Sequence, residues 1–220
     1  LPNGQEIALK RPYKDCRQSV EEFKNEIEVL ARLQHKNLVR LLGFCVQKQE
    51  SILVYEYMAN RSLHSFLFKP ENKKYLDWTK RYKIIKGIAR GIQYFHEDAR
   101  LKIIHRNLKP SNVLLDNDMN PKISDLGLAE IFLIDQIEGN VNIAGTWGYI
   151  APEYINHGVY SVKSDVYSFG VLLLETISGR RIVESVKYHQ INGSEELLNS
   201  AWKLWNDGKP LELLDPTIRE

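Results

Sequence analysis

The sequence predicts an α+β fold, in which a strand-rich start carrying one helix is followed by a helix-rich remainder. Three observations predict it. Apolar runs of strand length crowd the first 58 residues around a single amphipathic stretch. Beyond Asp77 the apolar residues recur at helical spacing over long stretches. The composition, 43% hydrophobic and 26% charged, is that of an ordinary globular chain and not of a disordered one. Segregated runs of strands and helices belong to α+β architectures.

The elements follow in order. Leu1-Pro2-Asn3-Gly4 reads as a turn, because Asn-Gly favours positive φ. Residues 6–10 then read as a strand. Ser19-x-x-Glu22 has the form of a capping box, and Phe23, Ile27, Leu30 and Leu33 follow at helical spacing, so a helix is expected over 20–33. Residues 38–46 and 51–58 suit strands, with Cys45 expected to be buried in the first. Asp77 is placed to cap a long helix whose apolar stripe is Tyr82, Ile85, Ile88, Ile92 and Phe95. Short strands are expected at 102–105, 113–115 and 122–124. Residues 126–150 show no sustained period and read as a long loop, a feature that usually signals function. Residues 165–178 read as a buried helix, apolar nearly all round.

Composition narrows the function classes. A 220-residue chain suits one domain of two lobes, or two small domains. The net charge of +2 does not announce nucleic-acid or membrane-surface binding. Cys16 and Cys45 are too few for a disulfide scaffold and lack metal-site spacing, so a reducing compartment is expected. No apolar run reaches the ~18 residues of a membrane span.

The strongest signal is a set of motifs in a fixed order: Ala8-Leu9-Lys10, Glu26, His105-Arg106-Asn107-Leu108-Lys109-Pro110-Ser111-Asn112, Asp125-Leu126-Gly127 and Ala151-Pro152-Glu153. Together they resemble the protein-kinase signature. The segments 53–58, 145–153 and 164–170 look like plant receptor-like serine/threonine kinases, and the likeness covers nearly the whole chain. The resemblance implies a bilobal fold, with a partial small antiparallel-sheet lobe over 1–57 and a partial, mainly helical lobe over 58–220. It implies ATP and Mg²⁺ as cofactors and a protein substrate or partner kinase. It also implies a place on the cytoplasmic side of the plasma membrane, reached through a segment outside this chain, or in the cytoplasm if the fragment stands alone. By resemblance, Lys10 holds the α/β-phosphates and Glu26 orients it. Asn112 and Asp125 offer oxygens to Mg²⁺, a hard cation. Ala8 and Leu114 sandwich the adenine, the backbone of Glu56 and Met58 bonds its edge, and Tyr55 stands behind it as gatekeeper. Leu30, Leu41, His105 and Leu126 form an apolar spine. Asn107 and Lys109 occupy the catalytic loop, Lys109 in the manner of the serine/threonine type.

The chain also departs from that pattern. Position 107 carries Asn where active kinases carry the catalytic Asp, and a neutral amide accepts a hydrogen bond but not a proton. General-base help is worth ~10²–10⁴ in rate, roughly 3–5 kcal/mol. The expectation is a module that binds ATP but transfers phosphoryl groups poorly, with a weakly or conditionally active kinase as the alternative. Residues 126–145 contain no Ser, Thr or Tyr, so Arg106 has no phosphate on that loop to pair with. Glu138 or Asp135 is expected to substitute, unless Arg106 makes only a local ion pair. Leu126 replaces the usual Phe. The family's Gly-rich loop is expected before Leu1, and the Arg that pairs with Glu153 after Glu220, leaving Glu153 buried and alone and some apolar surface uncovered.

Overall fold

The computed structural model describes residues 1–12, 17–47, 50–133, 136–140, 142–182 and 192–218. Strand β1 (Ile7–Lys10) is followed by helix α1 (Arg17–Leu30) and strands β2 (Leu41–Gln47) and β3 (Glu50–Glu56). The strands form an antiparallel sheet of order β1-β3-β2, with Lys10 opposite Leu53 and Gln47 opposite Glu50. Phe23, Glu26, Val29 and Leu30 form the inward face of α1, at the spacing that keeps a helix stripe aligned. Two expectations fail here. Ser19 lies within the helix rather than at its cap, because α1 already begins at Arg17. Cys45 is exposed, on the open part of β2 with Phe44 and Val46. Cys16 lies outside the described residues.

The remainder is mainly helical: α2 (Leu63–Phe68), α3 (Pro70–Lys73), α4 (Trp78–Gln93), α5 (Pro152–His157), α6 (Val162–Ser178) and α7 (Asn192–Asn206). Asp77 caps α4 as its position predicts, its carboxylate accepting from the Lys80 amide at 2.9 Å. The helix widens into a π turn at Tyr94–Asp98. Of the expected stripe, Ile88, Ile92 and Phe95 are buried and Ile85 is half-buried, but Tyr82 is exposed, and Arg81, Ile84, Gly87 and Gly91 complete the buried face. A Cβ on Gly87 would lie 2.3 Å from the Pro121 ring, so only glycine permits this approach.

Short strands β4 (Lys102–Ile104), β5 (Val113–Leu115), β6 (Pro121–Ile123), β7 (Glu130–Phe132), β8 (Glu138–Asn140) and β9 (Val159–Ser161) form three antiparallel ribbons, β4–β7, β5–β6 and β8–β9. The expected long loop over 126–150 therefore holds β7 and β8. Each spans three residues, too few to show a period of two in the sequence.

Helix α6 starts at Ser161 in a reciprocal capping box with Ser164 and ends at Gly179 in the left-handed region. It is not apolar all round. Its buried residues include Asp165, Ser168, Glu175 and Thr176. Asp165 accepts from the backbone N–H groups of His105 and Arg106 at 2.7 and 2.9 Å. Glu175 accepts from the Tyr149 hydroxyl at 2.8 Å and the Ile182 amide at 2.7 Å. Thus the helix core hands fixed acceptors to the loops around it, which satisfies donors that burial would otherwise leave orphaned.

One principal apolar cluster joins the sheet to the helices. It runs from Phe23, Val29 and Leu53 through Leu126 to Ile84, Ile88 and Leu172. Backbone bonds from Val39 to Ile123 and from Ile123 to Asn37, at 2.9 and 2.8 Å, stitch the segment before β2 to β6. Apolar surface is also exposed at Phe44, Val46, Trp202, Trp205 and Leu211.

Candidate active site

A cleft of about 400 Å³ lies between the sheet and the helical part. That volume is within the range of small-molecule sites. All nine residues expected at the cofactor line it: Ala8 and Lys10 from β1, Glu26 from α1, Tyr55 and Glu56 from β3, then Met58, Asn112, Leu114 and Asp125. The Glu56 side chain turns away, accepting from the Lys122 ammonium and the Arg40 amide, both at 2.8 Å.

Lys10 is the pivot. Its ammonium lies 2.8 Å from Glu26 Oε2 and 2.6 Å from Asp125 Oδ1. The other oxygen of Glu26 accepts from the Tyr55 hydroxyl at 2.6 Å, so this buried carboxylate has a partner on each side. Burial pulls the Lys10 pKa down, but Glu26 and Asp125 outweigh it and hold it above the ordinary value. Burial pushes Asp125 up, but the Lys10 ammonium outweighs that and keeps it below the usual carboxylate range. Burial, reinforced by Glu26, drives the Tyr55 hydroxyl well above its usual range. Lys10 is therefore a fixed cation, Asp125 a fixed anion and Tyr55 a fixed donor.

Asn107 and Lys109 stand beside the cleft and connect to it. The Asn107 amide nitrogen donates to Asp125 Oδ2 at 3.3 Å, and the Asn112 amide donates to the same oxygen at 3.2 Å. The Asn107 amide oxygen accepts from the Thr146 hydroxyl at 2.8 Å, and Lys109 donates to that hydroxyl at 2.8 Å. Arg106 and Asp125 both hold positive φ, at 64° and 67°. Such backbone costs about 1–3 kcal/mol and persists where surrounding contacts impose it. The bonds from Asp165 supply that constraint at Arg106. Of the spine residues, Leu30 and Leu126 lie in the principal cluster, Leu41 packs against it, and buried His105 sits 6.1 Å from the Phe95 ring.

Two expectations are corrected. Glu138 is exposed in β8, and among the described residues it is Glu130 that pairs with Arg106, at 2.9 Å. Asp135 lies outside the described residues. Glu153 is exposed rather than buried and accepts from the Ser164 hydroxyl at 3.5 Å.

Sequence reading also missed Asn25. Its amide nitrogen faces the carbonyls of Leu126, Gly127 and Ala129 at 3.4, 2.9 and 2.7 Å. Nothing in the helical period marks Asn25, which lies about 100° around α1 from Glu26. Gly127 allows the fit, since a Cβ there would come within 3.0 Å of Glu22 Cβ.

Comparison with known proteins bears on the chain as a whole. The family description "Protein kinase domain" matches residues 2–211. Cysteine-rich receptor-like protein kinases 10 and 34 of Arabidopsis thaliana are each 58% identical over 221 positions, covering 100% of this chain and 33% of the relative. Cysteine-rich receptor-like protein kinase 11 of the same plant is 56% identical over 219 positions, covering 99% of this chain and 33% of its own length. The chain thus spans about a third of each of these relatives.

Proposed function

Because the chain belongs to the protein kinase family, with plant receptor-like kinases among its relatives, we propose that it is an ATP-binding receptor-like serine/threonine kinase domain with strongly impaired phosphoryl transfer. It acts as a pseudokinase-like signalling module toward a protein substrate or partner kinase. Its place is the cytoplasmic face of the plasma membrane, in keeping with the receptor-like relatives. None of the described helices is long and apolar enough to cross a membrane.

The donor set supports the cofactors. The cleft has apolar walls at Ala8 and Leu114 for adenine, and Glu56 and Met58 line the side where backbone would meet its edge. Asp125 is ionised and neighbours Asn112, a hard-oxygen pair suited to Mg²⁺ that arrives already bound to phosphates. Mg²⁺ would supply charge neutralisation there. Lys10 grips the phosphates and Glu26, itself held by Tyr55, orients Lys10. Lys109 places positive charge beside the transferring group, where phosphoryl transfer depends on positioning and charge.

The observation that carries the impairment is Asn107. Its amide orients a hydroxyl but takes up no proton, and both ends of the amide are engaged, by Thr146 and Asp125. The test is Asn107→Asp. Autophosphorylation should rise by about tenfold or more, in line with general-base contributions. A smaller rise would refute the claim that the missing carboxylate limits transfer. A thermal-shift titration with Mg²⁺ and ATP checks binding separately, because a ligand of the native state raises its melting temperature. No shift at millimolar nucleotide would end the binding claim.

A second reading, weak or conditional kinase activity, is favoured by the intact Lys10–Glu26 pair at 2.8 Å. It predicts measurable transfer that Lys10→Met abolishes.

A further inference from the structure

Arg106 is a buried cation with an unusual set of neighbours. Its guanidinium donates to the Leu128 carbonyl at 3.1 Å, the Asn142 carbonyl at 3.4 Å and the Tyr154 hydroxyl. The Tyr160 ring lies 4.7 Å from it and the Tyr154 ring 5.5 Å. These groups are dipoles and π faces, and they solvate a charge without neutralising it. Among the described residues, the carboxylate that pairs with it is Glu130, 2.9 Å away. The Arg106 side chain is 5% exposed, whereas that of Glu130 is 40% exposed. The anion therefore reaches in from the rim toward a cation sealed beneath it.

The contacts of Arg106 gather the segment that follows Asp125. Leu128 precedes β7, Glu130 opens it, Asn142 follows β8, and Tyr160 sits in β9, which pairs with β8. The register places Glu130 opposite Ile104, two residues before Arg106. Kinase segments of this kind are commonly ordered by an added phosphate that pairs with arginine. Residues 126–145 here carry no hydroxyl that could accept one.

We propose that Glu130 is a resident anion that fills the phosphate position at Arg106, holding β7 and β8 in place without phosphorylation. Glu130 is a positioning residue that acts through Arg106. The proposal rests on neither nucleotide binding nor transfer. It makes the rim of Arg106 an anion socket, emptied by removing the carboxylate and refilled by a free anion.

The test is amide hydrogen exchange at Glu130–Phe132 and Glu138–Asn140, read in the native protein, Glu130→Gln, Glu130→Ala and Glu138→Ala. Both Glu130 variants should exchange about tenfold faster at these amides, because an unpaired buried cation no longer holds the segment. Glu138→Ala, which removes an exposed charge from the same segment, should leave Glu130–Phe132 unchanged. Inorganic phosphate at about 20 mM should restore protection to Glu130→Ala and leave the native protein unaltered. A merely structural role for Glu130 would not be rescued by phosphate. The proposal is overturned if Glu130→Gln stays as protected as the native chain, or if phosphate fails to rescue Glu130→Ala. It is equally overturned if phosphate tightens the native protein, since the socket would then stand open.

Discussion

Arg81 and Arg106 both bury a guanidinium and each, among the described residues, pairs with one carboxylate, at 2.8 and 2.9 Å, yet they do different work. Arg81 bonds the Leu76 carbonyl at 2.9 Å, the Thr176 carbonyl at 2.8 Å and Asp215. Its side chain is 0% exposed and that of Asp215 is 5% exposed. This pair fastens α4 to α6 and to the chain end, and no solute reaches it. At Arg106 the arginine is just as hidden but Glu130 is not. The exposure of the partner, rather than of the arginine, separates a permanent fastening from a replaceable one.

The contrast can be broken first at Asp215. Asp215→Asn leaves Arg81 charged and buried, a loss of about 3–5 kcal/mol. In a chain of this size that lowers the melting temperature by roughly 6–20 °C. A shift of a degree or two would show that the pair is not sealed. Next comes Gly179, whose φ is +64° and whose added Cβ would lie 2.1 Å from Asp215 Oδ2. Gly179→Ala should cost about 1–3 kcal/mol. Combined with Asp215→Asn its effect should be less than additive in urea denaturation, since the two share one contact.

Glu130→Gln should cost about 1–2 kcal/mol in global stability, less than Asp215→Asn, because its half-open carboxylate was already partly screened by water. That smaller cost, matched by a similar local change in exchange, is the signature that distinguishes the two sites. The smallest effect is on pH. Burial pushes Asp215 up, but the Thr217 amide and Arg81 outweigh it and keep its pKa below the ordinary value. A carboxylate so depressed contributes stability that is fully present above about pH 4 and lost as pH falls through the folded value. The native protein should therefore lose more stability between about pH 6 and pH 3 than Asp215→Asn does. Parallel acid limbs would contradict this.

How much of this was legible beforehand depends on how local each feature is. Asp77 was legible because a cap bonds three residues ahead. The nine cleft residues were legible because their motifs come in a fixed order, and the fold brings that order around one cavity. Arg81 was not, since a buried arginine interrupts the apolar stripe by which a helix face is read, and Tyr82 beside it looked the better core residue. Ser19 carried the right cap chemistry at a position that α1 overran. Glu130 was invisible because its partner lies 24 residues away, and only the pairing of β4 with β7 brings them together.

Asn25 has only two N–H bonds to share among three carbonyls, those of Leu126, Gly127 and Ala129. It sits one residue from Glu26, so a rotation of α1 that drew Glu26 off Lys10 would strip Asn25 from the loop that follows Asp125. Helix and loop are geared: turning one wheel turns the other, and the cleft loses its cation and anion grips in a single motion.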